Sequence, residues 1–169
     1  MPTMADVDRM DRTSFVGRFG GIFEHSPWVA ERAWDHRPFS TLQNLHAAMV
    51  QVVGDAAAGE QDDLIRAHPD LAGRAARAGD LTADSAREQA SAGLDRLSEE
   101  EFERFHALND AYRTKFGFPF IIAVRGAGKD AILQGFEQRL ANDLDVERRT
   151  ALEQIARIAW FRLSDLVPG

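Results

Sequence analysis

Cysteine is absent from the 169 residues. That excludes disulfides, thiol nucleophiles and zinc sites built on thiolates, and it fits a reducing compartment, so a cytoplasmic protein is expected. No apolar run approaches the roughly 18 residues that a membrane span requires. The acidic opening, Met1 to Met10, does not read as a signal peptide, and the ending Val167-Pro168-Gly169 carries no peroxisomal address of the S-K-L type. A surplus of positive charge is also missing. With 27 acidic against 20 basic residues the net charge is -7, which argues against a nucleic-acid surface but leaves room for a local basic pocket for a small anion. No internal repeat, low-complexity linker or compositional break divides the chain. One domain over residues 1–169 is expected, its first ten residues flexible. What remains, 44% hydrophobic and 28% charged, is the composition of an ordinary soluble domain long enough to bury a core.

Periodicity points to helices throughout. Phe15, Val16, Phe19 and Phe23 share a face over Thr13 to Phe23. Ser26-Pro27 reads as a cap followed by proline at the first helical position, opening a short helix through Trp34. Ser40 or Thr41 starts a longer one, with Leu42, Leu45, Met49, Val52 and Val53 inward. A helix over Glu60 to Ala67 must stop near His68, because Pro69 disfavours helical geometry in the residue before it. Alanine-rich patches between residues 54 and 92 suit further helix. Ser98-x-x-Glu101 is a capping box, continued by Phe102, Phe105, Leu108, Tyr112 and Phe116. Asp130 to Leu144 and Asp145 to Leu166 complete the series. Only Phe118 to Val124 reads as extended, and a single strand cannot make a sheet. The expected fold is therefore an all-α compact single-domain helical bundle with one extended loop segment.

Five histidines are present, and none forms the H-E-x-x-H or H-x-x-x-H pair of helical zinc sites, so no metal is expected. His46 and His106 lie within helices and read as structural or surface residues; His25 precedes a helix start and suits a backbone-satisfying role there. His68 differs. It sits at a helix end, where the macrodipole favours the imidazolium, and the turn-like Pro-Asp-Leu-Ala-Gly after it would point the ring out of the bundle. Such an imidazole suits general acid–base work, although a histidine in this position also serves simply as a helix cap. Ser85, Glu88 and Gln89 share one helical face and together offer a hydroxyl, a carboxylate and an amide for a ureido or lactam edge. The same Ser85-x-x-Glu88 spacing equally describes a capping box, with Leu81-Thr82 as another helix start just upstream. Arg162 lies on the core-facing stripe of Ile155, Ile158, Ala159 and Leu166. Its guanidinium there needs either a structural acid or a substrate carboxylate. Gly126-x-Gly128-Lys129 lacks the spacing of a phosphate loop and is rejected.

Several short motifs then occur in order. They are Glu24-His25-Ser26-Pro27-Trp28-Val29-Ala30, Arg37-Pro38-Phe39, Ala67-His68-Pro69-Asp70-Leu71-Ala72-Gly73 and Ser85-x-x-Glu88-Gln89-x-x-Ala92-Gly93-Leu94. Leu108-Asn109-x-x-Tyr112, Lys115-Phe116-Gly117-Phe118-Pro119-Phe120, Arg139-Leu140-x-Asn142 and Arg162-Leu163 follow. Each alone is weak; as an ordered series from about residue 13 to 167 the sequence resembles the OHCU decarboxylase family (2-oxo-4-hydroxy-4-carboxy-5-ureidoimidazoline decarboxylase). The resemblance implies an all-helical homodimer, free of metal and organic cofactor, that acts late in urate degradation and converts OHCU to (S)-allantoin and CO2. It implies that His68 is the catalytic acid/base, that Glu88 assists proton transfer, and that Pro69 lines the site. It further implies that Ser85, Gln89, Arg162 and the backbone of Phe120, Ile121, Ile122, Ala123 and Val124 hold the substrate.

Two other readings compete: a related ureido-ring lyase or hydrolase using the same pocket, and a non-catalytic helical binding module. A binding module needs neither Arg162 on a core-facing stripe nor the His68-Pro69 helix stop.

Overall fold

The computed structural model describes residues 1–73 and 79–168. Among these the regular structure is helical throughout, nine α-helices and one 3-10 turn with no strand, in agreement with the all-α expectation. By its contacts the chain divides into two compact units, Met1–Ala67 with Ala156–Gly169, and His68–Ile155.

The first unit contains α1 (Met4–Arg9), α2 (Arg12–Phe19), α3 (Trp28–Ala33) with the 3-10 turn Trp34–His36, α4 (Leu42–Asp55) and α5 (Ala58–Arg66). The opening residues, expected to be flexible, contain a helix. Thr3 and Asp6 form a reciprocal capping box and Val7 is fully buried. The Asp8 carboxylate accepts from the backbone N–H groups of Phe39 (2.7 Å) and Ser40 (3.0 Å), which ties this helix to the turn before α4. α2 starts at its Asp11 cap and ends earlier than the Thr13–Phe23 periodicity predicts. A Cβ at Gly20 would lie 2.6 Å from the Val16 carbonyl, so only glycine closes the chain this tightly there. Phe15, Phe19 and Phe23 are nonetheless all buried, and the Phe15 and Phe19 rings lie 4.9 Å apart. The Ser26-Pro27 expectation is shifted by one residue. Pro27 itself is the cap of α3, and the Ser26 hydroxyl donates to the Glu24 carbonyl at 2.9 Å instead of capping the helix. α3 lies against α2 and α4. Thr41 caps α4, whose Leu42, Leu45, Met49, Val52 and Val53 are all buried as expected.

The second unit contains α6 (Ala83–Ser91), α7 (Glu99–Phe116), α8 (Lys129–Leu140) and the first part of α9 (Leu144–Leu166), which continues into the other unit. The alanine-rich expectation is met at α6, whereas its central stretch, residues 74–78, lies outside the described residues. Ser98 and Glu101 form the capping box read from the sequence. The helix expected over Asp130 to Leu144 stops at Leu140, because Asp143 caps a new one, its carboxylate accepting from Val146 N–H at 2.8 Å.

Phe118 to Val124 runs between α7 and α8 without helix or strand, and side chains engage two of its backbone groups. Arg139 Nη1 donates to the Ile121 carbonyl at 2.5 Å, and Ala123 N–H donates to Gln154 Oε1 at 2.9 Å. Arg139 is held in turn by Glu147. That carboxylate is fully buried and accepts from Arg139 Nε (2.7 Å), the Tyr112 hydroxyl (2.5 Å) and Asn142 Nδ2 (2.9 Å). Tyr112 also forms the hub of an aromatic cluster, meeting Phe116, Phe118, Phe120 and Phe136 with ring centroids 4.6 to 6.5 Å apart.

Glu147→Ala leaves the Arg139 guanidinium buried without its carboxylate. The expected loss is about 3–5 kcal/mol in urea unfolding, and a loss below about 1 kcal/mol would mean that the pair is dispensable. Burial, and then the bond to Glu147, push the Tyr112 phenol well above its ordinary range. The unfolded chain therefore ionises first, so this contribution is intact below about pH 10 and is lost as the pH rises beyond it. The fall in stability above that pH should be shallower in Tyr112→Phe; equal slopes in the two proteins would refute it.

Candidate functional site

The sequence candidates fall in both units. His68 follows the end of α5, which closes at Arg66 with Ala67 as its cap, so the helix stops where Pro69 demands. The ring itself departs from expectation: it is buried, with 6% of the residue exposed, instead of pointing outward. Pro69 beside it is half-buried.

α6 presents the second group. Thr82 caps this helix, its hydroxyl accepting from Ser85 N–H at 3.2 Å. Ser85 is therefore inside the first turn, and Ser85-x-x-Glu88 is not a capping box. Of the two starts that the sequence left open, the upstream one is used. Ser85 and Gln89 are buried and Glu88 is half-buried, so the face they share points largely inward.

Gln89 joins the two groups. Its Oε1 accepts from Ala72 N–H at 2.9 Å and its Nε2 donates to the Asp70 carbonyl at 3.2 Å. The loop directly after His68-Pro69 is thus fastened to the helix that bears Ser85 and Glu88. From α7, Asn109 Nδ2 donates to the Leu71 carbonyl at 2.9 Å, and the Arg113 guanidinium meets the Asp70 carboxylate at 3.0 Å. The loop needs such holding. Ala72 adopts φ +53°, a left-handed conformation costly for a residue with a side chain, and a Cβ at Gly73 would fall 2.8 Å from Asp70 Cβ. A cleft of about 440 Å³ adjoins this region, lined among others by Ala72, Ala86, Gln89, Leu94 and Phe102.

Phe120 to Val124 belongs to the same unit. Phe120, Ile121, Ala123 and Val124 are buried and Ile122 is half-buried. Arg139 and Gln154 already engage the Ile121 carbonyl and the Ala123 amide, and the Val124 carbonyl accepts from Ala127 N–H at 2.9 Å.

Arg162 lies in the other unit. Its Nη2 donates to Glu24 Oε2 at 2.9 Å and its Nη1 lies 3.3 and 3.4 Å from the carbonyls of Gly21 and Ile22. Both ionic side chains are at most 5% exposed. The charge on the apolar stripe therefore has a buried structural acid, which is one of the two roles its position allowed. Of the remaining histidines, His46 bonds the Ala156 carbonyl through Nε2 at 2.8 Å and His106 lies 3.3 Å from Asp110, as structural or surface residues do. His25 is exposed, with φ +48°. Among the described residues no group of three or more His, Asp or Glu is arranged to hold a metal ion.

Sequence reasoning assigned no role to Glu24, Asn109, Arg139, Glu147 or Gln154. For Arg139 a signal was present: it adds a charge to the buried stripe of Ile132 and Phe136, the same signature that singled out Arg162. Asn109 carried only its place on the buried face of α7 and in the Leu108-Asn109-x-x-Tyr112 motif.

A family model described as OHCU decarboxylase matches residues 8–164. A 2-oxo-4-hydroxy-4-carboxy-5-ureidoimidazoline decarboxylase of Haloferax volcanii is 47% identical over 163 residues, covering 96% of this chain and 95% of that protein. A uric acid degradation bifunctional protein of Bacillus subtilis is 44% identical over 99% of this chain, which spans 33% of its length. A crystal structure of (S)-allantoin synthase superposes with a TM-score of 0.77 at 32% identity, covering 98% of this chain and 54% of that one.

Because Glu24 and Arg162 are buried together, either Glu24→Ala or Arg162→Ala should cost about 3–5 kcal/mol of stability. The double variant should lose clearly less than the sum, which a double-mutant cycle by urea unfolding measures. Strict additivity would exclude the pair as a coupled unit.

Proposed function

The chain belongs to the OHCU decarboxylase family, and on that premise we propose that it is a carboxy-lyase converting 2-oxo-4-hydroxy-4-carboxy-5-ureidoimidazoline to (S)-allantoin and CO2 in urate degradation. The observation that carries the reading to residues is the tether between the His68 loop and α6. Gln89 bonds the loop from the position next to Glu88, so imidazole and carboxylate are borne by backbone segments locked to one another.

The substrate explains the chemistry asked of these groups. Its carboxylate and hydroxyl sit on one ring carbon, next to a carbon double-bonded to nitrogen. As the bond to CO2 breaks, its electron pair forms a ring C=C bond and the nitrogen takes up the displaced charge with a proton. The hydroxyl of the resulting enol then loses a proton while the ureido-bearing carbon gains one, giving a ketone and a new stereocentre. One CO2 leaves and one proton is consumed overall. The electron sink is within the substrate, which supports a reaction without metal or organic cofactor. The protein must hold the departing carboxylate out of the ring plane, keep water from the intermediate and deliver the proton to one face.

In this reading His68 donates that proton, and its burial supports a water-poor site for the transfer. Glu88 keeps the imidazole and the substrate hydroxyl in register, and Ser85 binds the ureido edge. Gln89 contributes through the loop it holds, with Pro69 as part of the wall. Phe120 to Val124 forms a rigid backbone edge for the ring. Arg162 is the arginine that the family resemblance assigns to holding the substrate, and its guanidinium is fixed by Glu24 and by the carbonyls of Gly21 and Ile22. We take residues 1–169 to act as one domain, in a cytoplasmic homodimer. The lack of cysteine supports the compartment, and the family resemblance supports the dimer.

Circular dichroism of urate treated with urate oxidase and hydroxyisourate hydrolase follows the product directly. Wild-type protein should speed the (S)-allantoin signal. His68→Asn should lower kcat by about 100-fold or more while its far-UV spectrum remains that of the wild type. Glu88→Gln should retain folding and lose both rate and handedness. Wild-type turnover by His68→Asn would remove His68 from the chemistry.

A further inference from the structure

Asn109 lies 41 positions from His68 along the chain, yet its one bonded donor ends on the loop that carries the imidazole. The side chain is buried, with 2% of the residue exposed. Nδ2 donates to the Leu71 carbonyl, whereas Oδ1 finds no donor among the described residues. A buried amide that leaves one half unsatisfied is costly, so its retention calls for a specific task of the other half. Its neighbours identify that task. Gln89 holds the residue on either side of Leu71, through the Asp70 carbonyl and the Ala72 amide, and Arg113 holds the Asp70 carboxylate. Two buried amides from two helices therefore bind three successive residues. The last of these has a left-handed φ that the backbone would not keep unaided.

We infer that Asn109 is a positioning residue for the reaction, fixing the His68 imidazole relative to Glu88 by holding the Leu71 carbonyl. The inference rests on His68 being the acid/base. Gln89 fastens the loop to α6, and Asn109 fastens it to α7, so the pair removes the rotation that one attachment would leave. Asn109 touches neither substrate nor proton. Its loss should lower kcat and blur the handedness of protonation while leaving substrate binding nearly intact.

The test compares the full chain with Asn109→Leu and Asn109→Asp, and uses Arg104→Ala as a control that loses only an exposed ion pair on the same helix. Asn109→Leu should lower kcat by about tenfold or more with KM within about twofold, and should yield allantoin of reduced optical purity. Asn109→Asp adds a readout that a purely structural role would not move. Its protonated carboxyl can donate to Leu71 as the amide does, and its ionised form cannot. Its kcat relative to wild type should therefore recover as the pH falls, at constant KM. Histidine side-chain NMR provides an arm independent of turnover. The His68 ring resonances should shift in Asn109→Leu, with those of His25, His36 and His46 unmoved. Unchanged kcat, a rise confined to KM, a pH-independent ratio for Asn109→Asp, or an unmoved His68 ring would each overturn the inference. Should Asn109→Leu fail to fold, the near-isosteric Asn109→Asp decides alone. An inactive wild type would overturn the decarboxylase reading instead, and the NMR arm would still decide whether Asn109 positions His68.

Discussion

The ion pair of Glu147 and Arg139 is the constraint around which the second unit is organised. A carboxylate with no exposure and a guanidinium nearly as buried would each be prohibitive alone. Together they are tolerable only because every major direction is filled: Tyr112 and Asn142 complete the carboxylate, and the Ile121 carbonyl takes a guanidinium N–H. That last bond extends the effect beyond the pair. It lets an extended segment sit inside a helical protein without a partner strand, because a side chain does what a sheet ladder would otherwise do. The stacked Phe120 and Phe136 rings, 3.8 Å apart, then seal the segment from the apolar side.

The same device recurs at three other places where the chain leaves helical geometry. Gln89 and Asn109 satisfy the loop after His68, Asp8 satisfies the turn before α4, and Arg162 satisfies the carbonyls after α2. Polar side chains from rigid helices thus bond irregular backbone, and the bonds of Gln89 to Ala72 and of Asn109 to Leu71 are buried. Burial makes such contacts geometrically strict, since a misplaced partner leaves an unsatisfied group with no water to replace it. Strictness is what a proton transfer to one face of a planar intermediate requires. The helices supply the stiffness that holds the irregular segments in place.

Arg139 and Arg162 illustrate how like signals lead to different structural outcomes. Each is a charge on an apolar helical stripe. Arg139 meets an acid on the following helix and a carbonyl in the extended segment, whereas Arg162 meets an acid and two carbonyls in the turn after α2. Neither acid is identifiable from local pattern. The choice of partner is made by the packing of helices.

Much of the fold was legible in the sequence because helix formation is governed by local spacing. The inward face of α4, the capping box of α7 and the stop before His68-Pro69 all follow from residues within a turn or two of one another. The helix limits were less legible, since Gly20 and Asp143 end or begin elements through contacts that periodicity does not encode. The site was legible as a set of candidates, and their ordered motifs carried the family. By itself, then, the sequence determined the helical class, the buried faces, the family and the residues able to do acid–base chemistry. Only the tertiary structure decided what those residues bind: that Gln89 is bonded to the His68 loop, and that Arg162 pairs with Glu24, 138 positions away. The physical reason is range. Helical propensity and capping act over three or four residues, whereas a buried polar group takes whichever partner the packed chain brings within about 3 Å, and no local pattern specifies that.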